Sequence, residues 1–267
     1  MPITCAVIEL QDHEGNRTEC LYYPNDASEI ESLIVFFPGD ISDFPFSKRN
    51  DPLAVGIFGC MEYGFSLDSI ASSICQSCPS RSALLCFRPC TMRGPYSIYD
   101  HFVRSDFCGN PLWVQSQRDS CRCLLSYVED LARKVQQPNL SSCHLSLVGF
   151  SKGAVVLSAL LRQRDPELLR RVKRFVMIDP GLSIPGRLFP FSDQEYDCFP
   201  SEIPIEIFVT SYQMHDPDRP WLQREIADFA SKSGARLRSV LTGSKRSLET
   251  HFKSITVALS EVFKDSY

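Results

Sequence analysis

The chain has 267 residues, 43% of them apolar and 22% charged, with a net charge of −4, the balance of a globular protein with a substantial core. This weak negative charge excludes the electropositive signature of nucleic-acid or anionic-membrane binding, and no apolar run approaches the about 20 residues that span a bilayer. With no internal repeat, low-complexity tract or linker, a single domain over residues 1–267 is the economical organisation.

Met1 and Pro2 run straight into the apolar Cys5, Ala6, Val7 and Ile8 without a secretory or mitochondrial leader, so the sequence by itself predicts an intracellular, cytoplasmic location. In that reducing setting the 12 cysteines are expected to be free thiols. Cys5 to Leu10 and Thr18 to Tyr23, separated by Asp12 to Asn16, predict a β-hairpin. Leu33 to Phe37 reads as a buried strand that stops at Pro38 and Gly39, and Leu67, Ile70 and Ile74 have helical spacing. Ala83 to Phe87 is a fourth strand. Cys75/Cys78 and Cys86/Cys90 invite a zinc reading, but Cys86 falls inside that strand, where it is not free to converge with three other ligands. Neither a metal nor an organic cofactor is expected.

After an irregular stretch, Asp119 to Gln136 is an amphipathic helix with Leu124, Val128, Leu131 and Val135 on one face. A strand follows from Leu145 to Val148, then a helix through Val155, Val156, Leu160 and Leu161. The basic residues Arg170, Arg171, Lys173 and Arg174 read as a solvated helix end before the strand Phe175 to Ile178. Residues 181–202 hold Leu182, Ile184, Leu188, Phe189, Phe191 and Phe199 among prolines. A short lid over an acyl or lipid-like substrate and a loop packed on the core fit that pattern equally. The strand Ile205 to Thr210, the helix Trp221 to Ser231, the strand Leu237 to Leu241 and the helix Glu249 to Phe263 complete the chain. Strands alternating with helices predict a mostly parallel sheet covered on both faces.

One string in this frame carries chemistry. Gly149, Phe150, Ser151, Lys152 and Gly153 follow the strand Leu145 to Val148 and open the next helix, the setting in which a strained turn lifts a serine hydroxyl above the sheet edge. The string alone is weak; the strand before it and the helix after it make it specific. The α/β-hydrolase fold has this elbow, with its triad in the chain order serine, acid, histidine. Of five histidines only His251 follows both the elbow and the last predicted strand, which makes it the expected base. His13, His101, His144 and His215 are expected to be ordinary polar residues.

For the acid, Asp216 in the loop after Ile205 to Thr210 is preferred. Asp179, at the end of Phe175 to Ile178, is the alternative, and Asp218 trails both. The oxyanion hole needs two backbone N–H groups: one from Lys152 and one from Gly39 or Asp40, since Pro38 has none. A carboxylate at Asp40 is awkward beside a developing negative charge unless it is paired or turned away. The Lys152 side chain is expected in solvent, with capture of an anionic substrate group as the lesser reading.

Several strings resemble the chromosome-two open-reading-frame sixty-nine family: Phe36-Phe37-Pro38-Gly39-Asp40, Tyr99-Asp100-His101-Phe102-Val103 and Val148-Gly149-Phe150-Ser151-Lys152-Gly153. Tyr212-Gln213, Asp216-Pro217, Trp221 and His251-Phe252 follow in the same order along nearly the whole chain. The resemblance implies an α/β-hydrolase fold, a serine hydrolase of unassigned substrate and a mitochondrial association, with Ser151, His251 and the Asp216 region at the triad positions. It does not decide between the aspartates. The expected activity is hydrolysis of an ester or thioester, possible acceptors other than water being left open, through an acyl-enzyme on Ser151. The rival is a weak or inactive hydrolase-fold protein acting by protein interaction, its oxyanion hole spoiled by Asp40.

Overall fold

The computed structural model describes residues 5–24, 30–42, 66–113 and 119–264. In chain order the elements are β1 (Ala6–Gln11), β2 (Arg17–Tyr23), β3 (Ser32–Phe37), α1 (Leu67–Cys75), β4 (Ser82–Phe87), β5 (Thr91–Arg93) and β6 (Tyr96–Ile98). Then come α2 (Ser120–Lys134), β7 (His144–Phe150), α3 (Ala154–Gln163), α4 (Pro166–Arg171), β8 (Val172–Ile178), α5 (Asp193–Tyr196) and β9 (Ile205–Val209). The last are α6 (Ser211–Met214), α7 (Leu222–Ser233), β10 (Arg236–Ser239) and α8 (Leu248–Phe263).

Eight strands make one sheet in the order β1-β2-β4-β3-β7-β8-β9-β10. The β1–β2 and β2–β4 pairs are antiparallel and all others are parallel. Side chains of successive strand residues leave on opposite faces, and the central strands show this without interruption. Leu33, Val35, Phe37, Leu85, Phe87, Leu145, Leu147, Phe175 and Met177 pack with Leu124, Leu157 and Phe229 of α2, α3 and α7. Ile34, Phe36, Leu84, Cys86, Val148, Phe150, Val176 and Ile178 pack with Ile70 of α1 and Ile255 and Leu259 of α8. Both faces are therefore apolar, which is why these strands read as continuous hydrophobic runs.

Local signals set the element ends. Asp119 caps α2 by accepting from the Arg122 N–H at 3.0 Å, and Asp165 caps α4 through the N–H groups of Glu167 and Leu168. The basic cluster is only half solvated. Arg170 and Lys173 are exposed, while Arg171 donates to the carbonyls of Leu140 and Cys143, and Arg174 to that of Val262. The stretch between β4 and α2 holds the two-stranded ribbon of β5 and β6, too short to show any period.

The apolar residues of 181–202 turn mainly toward α7. Phe189 stacks on Phe229 at 3.9 Å between ring centroids, and Phe191, Tyr196 and Phe199 surround that ring. The Glu225 carboxylate accepts from the N–H groups of Gly186, Leu188 and Phe189. Cys86 is buried in β4, and among the described residues no group of three His, Cys, Asp or Glu is placed to hold a metal. No helix among them is long and apolar enough to cross a membrane. Because Phe229 is fully buried and packs against four other aromatic rings, Phe229→Ala is expected to lower the unfolding free energy by about 3–5 kcal/mol, read by urea denaturation.

Candidate active site

β7 ends at Phe150 and the chain turns at Ser151, whose φ is 52°. A non-glycine residue in that left-handed region marks strain that the surroundings must hold in place. Two glycines permit the turn. A Cβ on Gly149 would lie 2.8 Å from the backbone N and Cα of Ala154, and one on Gly153 would lie 2.0 Å from the Phe37 carbonyl oxygen. A third glycine brings in the end of β3: a Cβ on Gly39 would lie 2.6 Å from Ser151 Cβ and 3.2 Å from its Oγ. The turn after β3 thus rests directly on the serine.

That turn is fastened from its other side by β6 and the residue after it. Tyr99 Oη donates to the Pro38 carbonyl at 2.5 Å, Ser97 Oγ to the Gly39 carbonyl at 2.7 Å, and the Ser97 N–H to Asp40 Oδ1 at 2.7 Å. In a trans peptide the N–H lies opposite the carbonyl. Anchoring these two carbonyls therefore points the N–H groups of Gly39 and Asp40 away from β6. Among the described residues neither N–H donates to another group.

The expected solvated position of Lys152 is corrected: the residue is 3% exposed. Its Nζ lies 2.7 Å from Asp40 Oδ1, donates to the Cys108 carbonyl at 2.6 Å and sits 4.9 Å from the Tyr96 ring centroid. The space comes from Gly109 at φ 74°, where a Cβ would meet the ammonium at 3.3 Å. A buried ammonium is tolerated only when paired, and Asp40 supplies the pairing. Desolvation pushes the Asp40 carboxyl up from its ordinary value, against the opposing pull of Lys152.

His251 stands in the first turn of α8, which is capped by Ser247 accepting from the Thr250 N–H at 3.1 Å. Its ring lies between Phe150, at 4.4 Å, and Tyr212, stacked at 4.5 Å. Its Nδ1 is 2.6 Å from Asp179 Oδ2, both side chains being buried. Asp179, at φ 45°, also accepts from the Thr210 N–H at 2.7 Å and the Thr210 hydroxyl at 2.6 Å. A carboxylate only accepts, so Nδ1 carries a proton, and in the neutral imidazole Nε2 then keeps the lone pair. Ser151 and His251 line one cavity of about 210 Å³, with Asp40, Lys152, Leu182 and Gln213 among the other walls.

The preference for Asp216 beside His251 is corrected: Asp179 occupies that position. Asp216 accepts from Arg219 Nε at 2.7 Å and from the Asp218 N–H at 3.0 Å, and pairs with Arg246 Nη2 at 2.9 Å. Burial alone would push its carboxyl up, but these partners outweigh burial and hold it below its ordinary value. Of the other histidines, His101 Nδ1 is 2.8 Å from Tyr127 Oη, and His13, His144 and His215 are exposed. Sequence reasoning gave no role to Ser97, Tyr99, Thr210 and Gln213, which stand at element ends or in short elements with no periodic signal, although Tyr99 and Gln213 fall in strings that carry the family resemblance.

This sheet order, with a left-handed serine between central strand and helix, is that of the α/β hydrolases. Two esterases of known structure have a similar fold. Esterase Est22 superposes with a TM-score of 0.60 at 12% identity, covering 98% of this chain and 80% of that one. The Pyrococcus furiosus esterase Pf2001 gives 0.54 at 11% identity, covering 98% and 90%. The family model described as C2orf69 matches residues 114–233, and the Danio rerio mitochondrial protein C2orf69 homolog is 27% identical over 92% of this chain and 77% of that protein. The chain is thus similar to the C2orf69 family across its middle and to a family relative along most of its length.

The pairing of Asp216 has a pH signature. A carboxylate held below its unfolded value stabilises the fold above the unfolded pKa, about 3.9, and that contribution is lost as pH falls through the folded value. Asp216→Asn is expected to cost about 1–3 kcal/mol at pH 7, read by urea unfolding, with the gap to the native protein closing below about pH 4.

Proposed function

We propose that this protein is a serine hydrolase of esters or thioesters that works through an acyl-enzyme on Ser151. The observation that carries the proposal is that His251, held at 2.6 Å by the buried Asp179, lines the same cavity as the strained Ser151. Ser151 Oγ attacks the substrate carbonyl carbon while His251 Nε2 takes its proton. The backbone N–H groups of Lys152 and of Gly39 or Asp40 receive the oxyanion. The C–O or C–S bond then breaks, and His251 returns the proton to the leaving oxygen or sulfur. Water, deprotonated by His251, attacks the acyl-Ser151 ester and releases the acid and the free serine. Asp179 fixes the imidazole tautomer and stabilises the imidazolium at each stage.

The rival reading as an interaction protein rested on an unpaired Asp40. Pairing with Lys152 at 2.7 Å cancels most of that charge, so the carboxylate supports the turn with little penalty at the oxyanion. A mitochondrial location is part of the proposal, on the strength of the Danio rerio relative's name.

A fluorophosphonate probe is expected to label the native protein and not Ser151→Ala; equal labelling of the two would sink the nucleophile assignment. Asp179→Asn should cut ester turnover by about 10³–10⁴ through the wrong tautomer, whereas Asp216→Asn should keep it within about threefold. If the two aspartate losses came out reversed, Asp179 would not be the acid. Tyr99→Phe and Ser97→Ala free the anchored carbonyls of the β3 turn. Each should lower kcat by about 10–100-fold with KM little changed, measured by steady-state kinetics on nitrophenyl esters.

A further inference from the structure

Gln213 belongs to α6, the single turn that follows β9, and is 1% exposed. Its amide N–H donates to the main-chain carbonyl of Asp179 at 3.0 Å. That contact decides the orientation of the amide, since the reverse would set two oxygens against each other. Oε1 is consequently the end left over, and it is buried with no hydrogen-bond partner among the described residues. Gln213 lines the cavity that holds Ser151 and His251, and among the described residues Oε1 is the one buried side-chain atom of that lining without a partner.

Such atoms are few in folded proteins, because an unmade bond to a buried polar group opposes folding. The walls around Gln213 supply no donor for it. Gly181 presses so close that a Cβ there would fall 2.8 Å from Oε1. Three side-chain donors of the cavity wall are engaged elsewhere: the Ser183 hydroxyl with Asn110 Oδ1 at 3.0 Å, Arg219 Nε with Asp216, and Lys152 Nζ with Asp40 and Cys108.

We propose that Gln213 Oε1 reads the substrate, accepting an N–H or O–H carried close to the scissile carbonyl. The natural substrate is then a hydroxyl- or amide-bearing ester or thioester rather than a plain acyl ester. A site built to receive a donor discriminates strongly against the analogue that lacks it, because its own acceptor is left bare. The inference rests on Ser151 as nucleophile.

The test uses matched ester pairs: nitrophenyl 3-hydroxybutyrate against butyrate, nitrophenyl N-acetylglycinate against 4-oxopentanoate, and the 2-hydroxyethyl against the propyl ester of butyric acid. Each kcat/KM is divided by the alkaline hydrolysis rate of the same ester, which removes intrinsic reactivity. The native protein is expected to prefer the donor-bearing member of at least one pair by about 10-fold or more, and the favoured pair tells a hydroxyl from an amide and the acyl from the alcohol side. Gln213→Met should bring that ratio close to one, because loss of the contact to Asp179 slows both members equally while loss of Oε1 slows only one. Equal treatment of all three pairs by the native protein overturns the inference, as does a variant that keeps the native ratio. Fluorophosphonate labelling of the same native preparation separates the two levels. Labelled protein without selectivity refutes the role of Gln213 alone, and unlabelled protein refutes the hydrolase reading with it.

Discussion

Ser151 sits at φ 52°, a conformation that costs an L-residue roughly 1–2 kcal/mol, and the centre of the molecule is arranged to impose it. β7 lies between β3 and β8 and is buried from Leu145 to Phe150, so the chain reaches the turn from a fixed direction. On the far side Val155, Val156, Leu157 and Leu160 of α3 are at most 1% exposed, so the chain also leaves in a fixed direction. With both flanks immobilised, the intervening residues have no way to relax. Gly149 and Gly153 are what allow strand and helix to come this close, since either Cβ would strike backbone.

The same device recurs along the sheet edge. β8 pairs with β7 so that Ile178 faces Phe150, and Asp179, the next residue, is itself left-handed at φ 45°. β3 pairs with β7 so that Phe37 faces Gly149, and the turn beyond it includes Ile41 at φ 62°. Three neighbouring parallel strands thus end together and each turns sharply just past the sheet, presenting backbone and side chains at one edge. Strain of this kind persists where surrounding bonds over-determine it. Here those bonds are two donated by Thr210 to Asp179, and those of Ser97 and Tyr99 to the turn after β3.

The sheet and the elbow were legible in the sequence because both rest on local pattern. Runs such as Leu33 to Phe37 and Leu145 to Val148 are apolar on both faces, and only a strand covered by helices on each side requires that. The elbow was legible because glycine spacing coincides with a strand-to-helix switch. The carboxylate beside His251 was not, because it depends on where side chains meet in space. Asp216 and Asp179 both follow a strand, and no local feature of Asp216 shows that Arg219 and Arg246 close over it. The register does tell them apart, since Asp179 is one residue past the strand that pairs with β7. Lys152 misled for a related reason. A lysine beside a helix start reads as solvated until Gly109, over 40 positions earlier in the chain, is seen to leave room for its ammonium.

Three carboxylates stand in or just behind the wall of one small cavity, Asp40 in its lining, Asp179 behind His251 and Asp216 behind Arg219, and each has a partner. Asp40 faces the Lys152 ammonium and Asp216 faces two guanidinium groups, so each of these carboxylates is paired with a cation. Asp179 faces an imidazole instead. An imidazole is charged only when protonated, so the attraction between the two would grow if His251 took a proton. An interaction that strengthens along the reaction coordinate lowers a barrier, whereas one of constant strength does not. In the proposed mechanism the two fixed pairs therefore hold the walls, and the pair with Asp179 is the one whose energy changes with proton transfer.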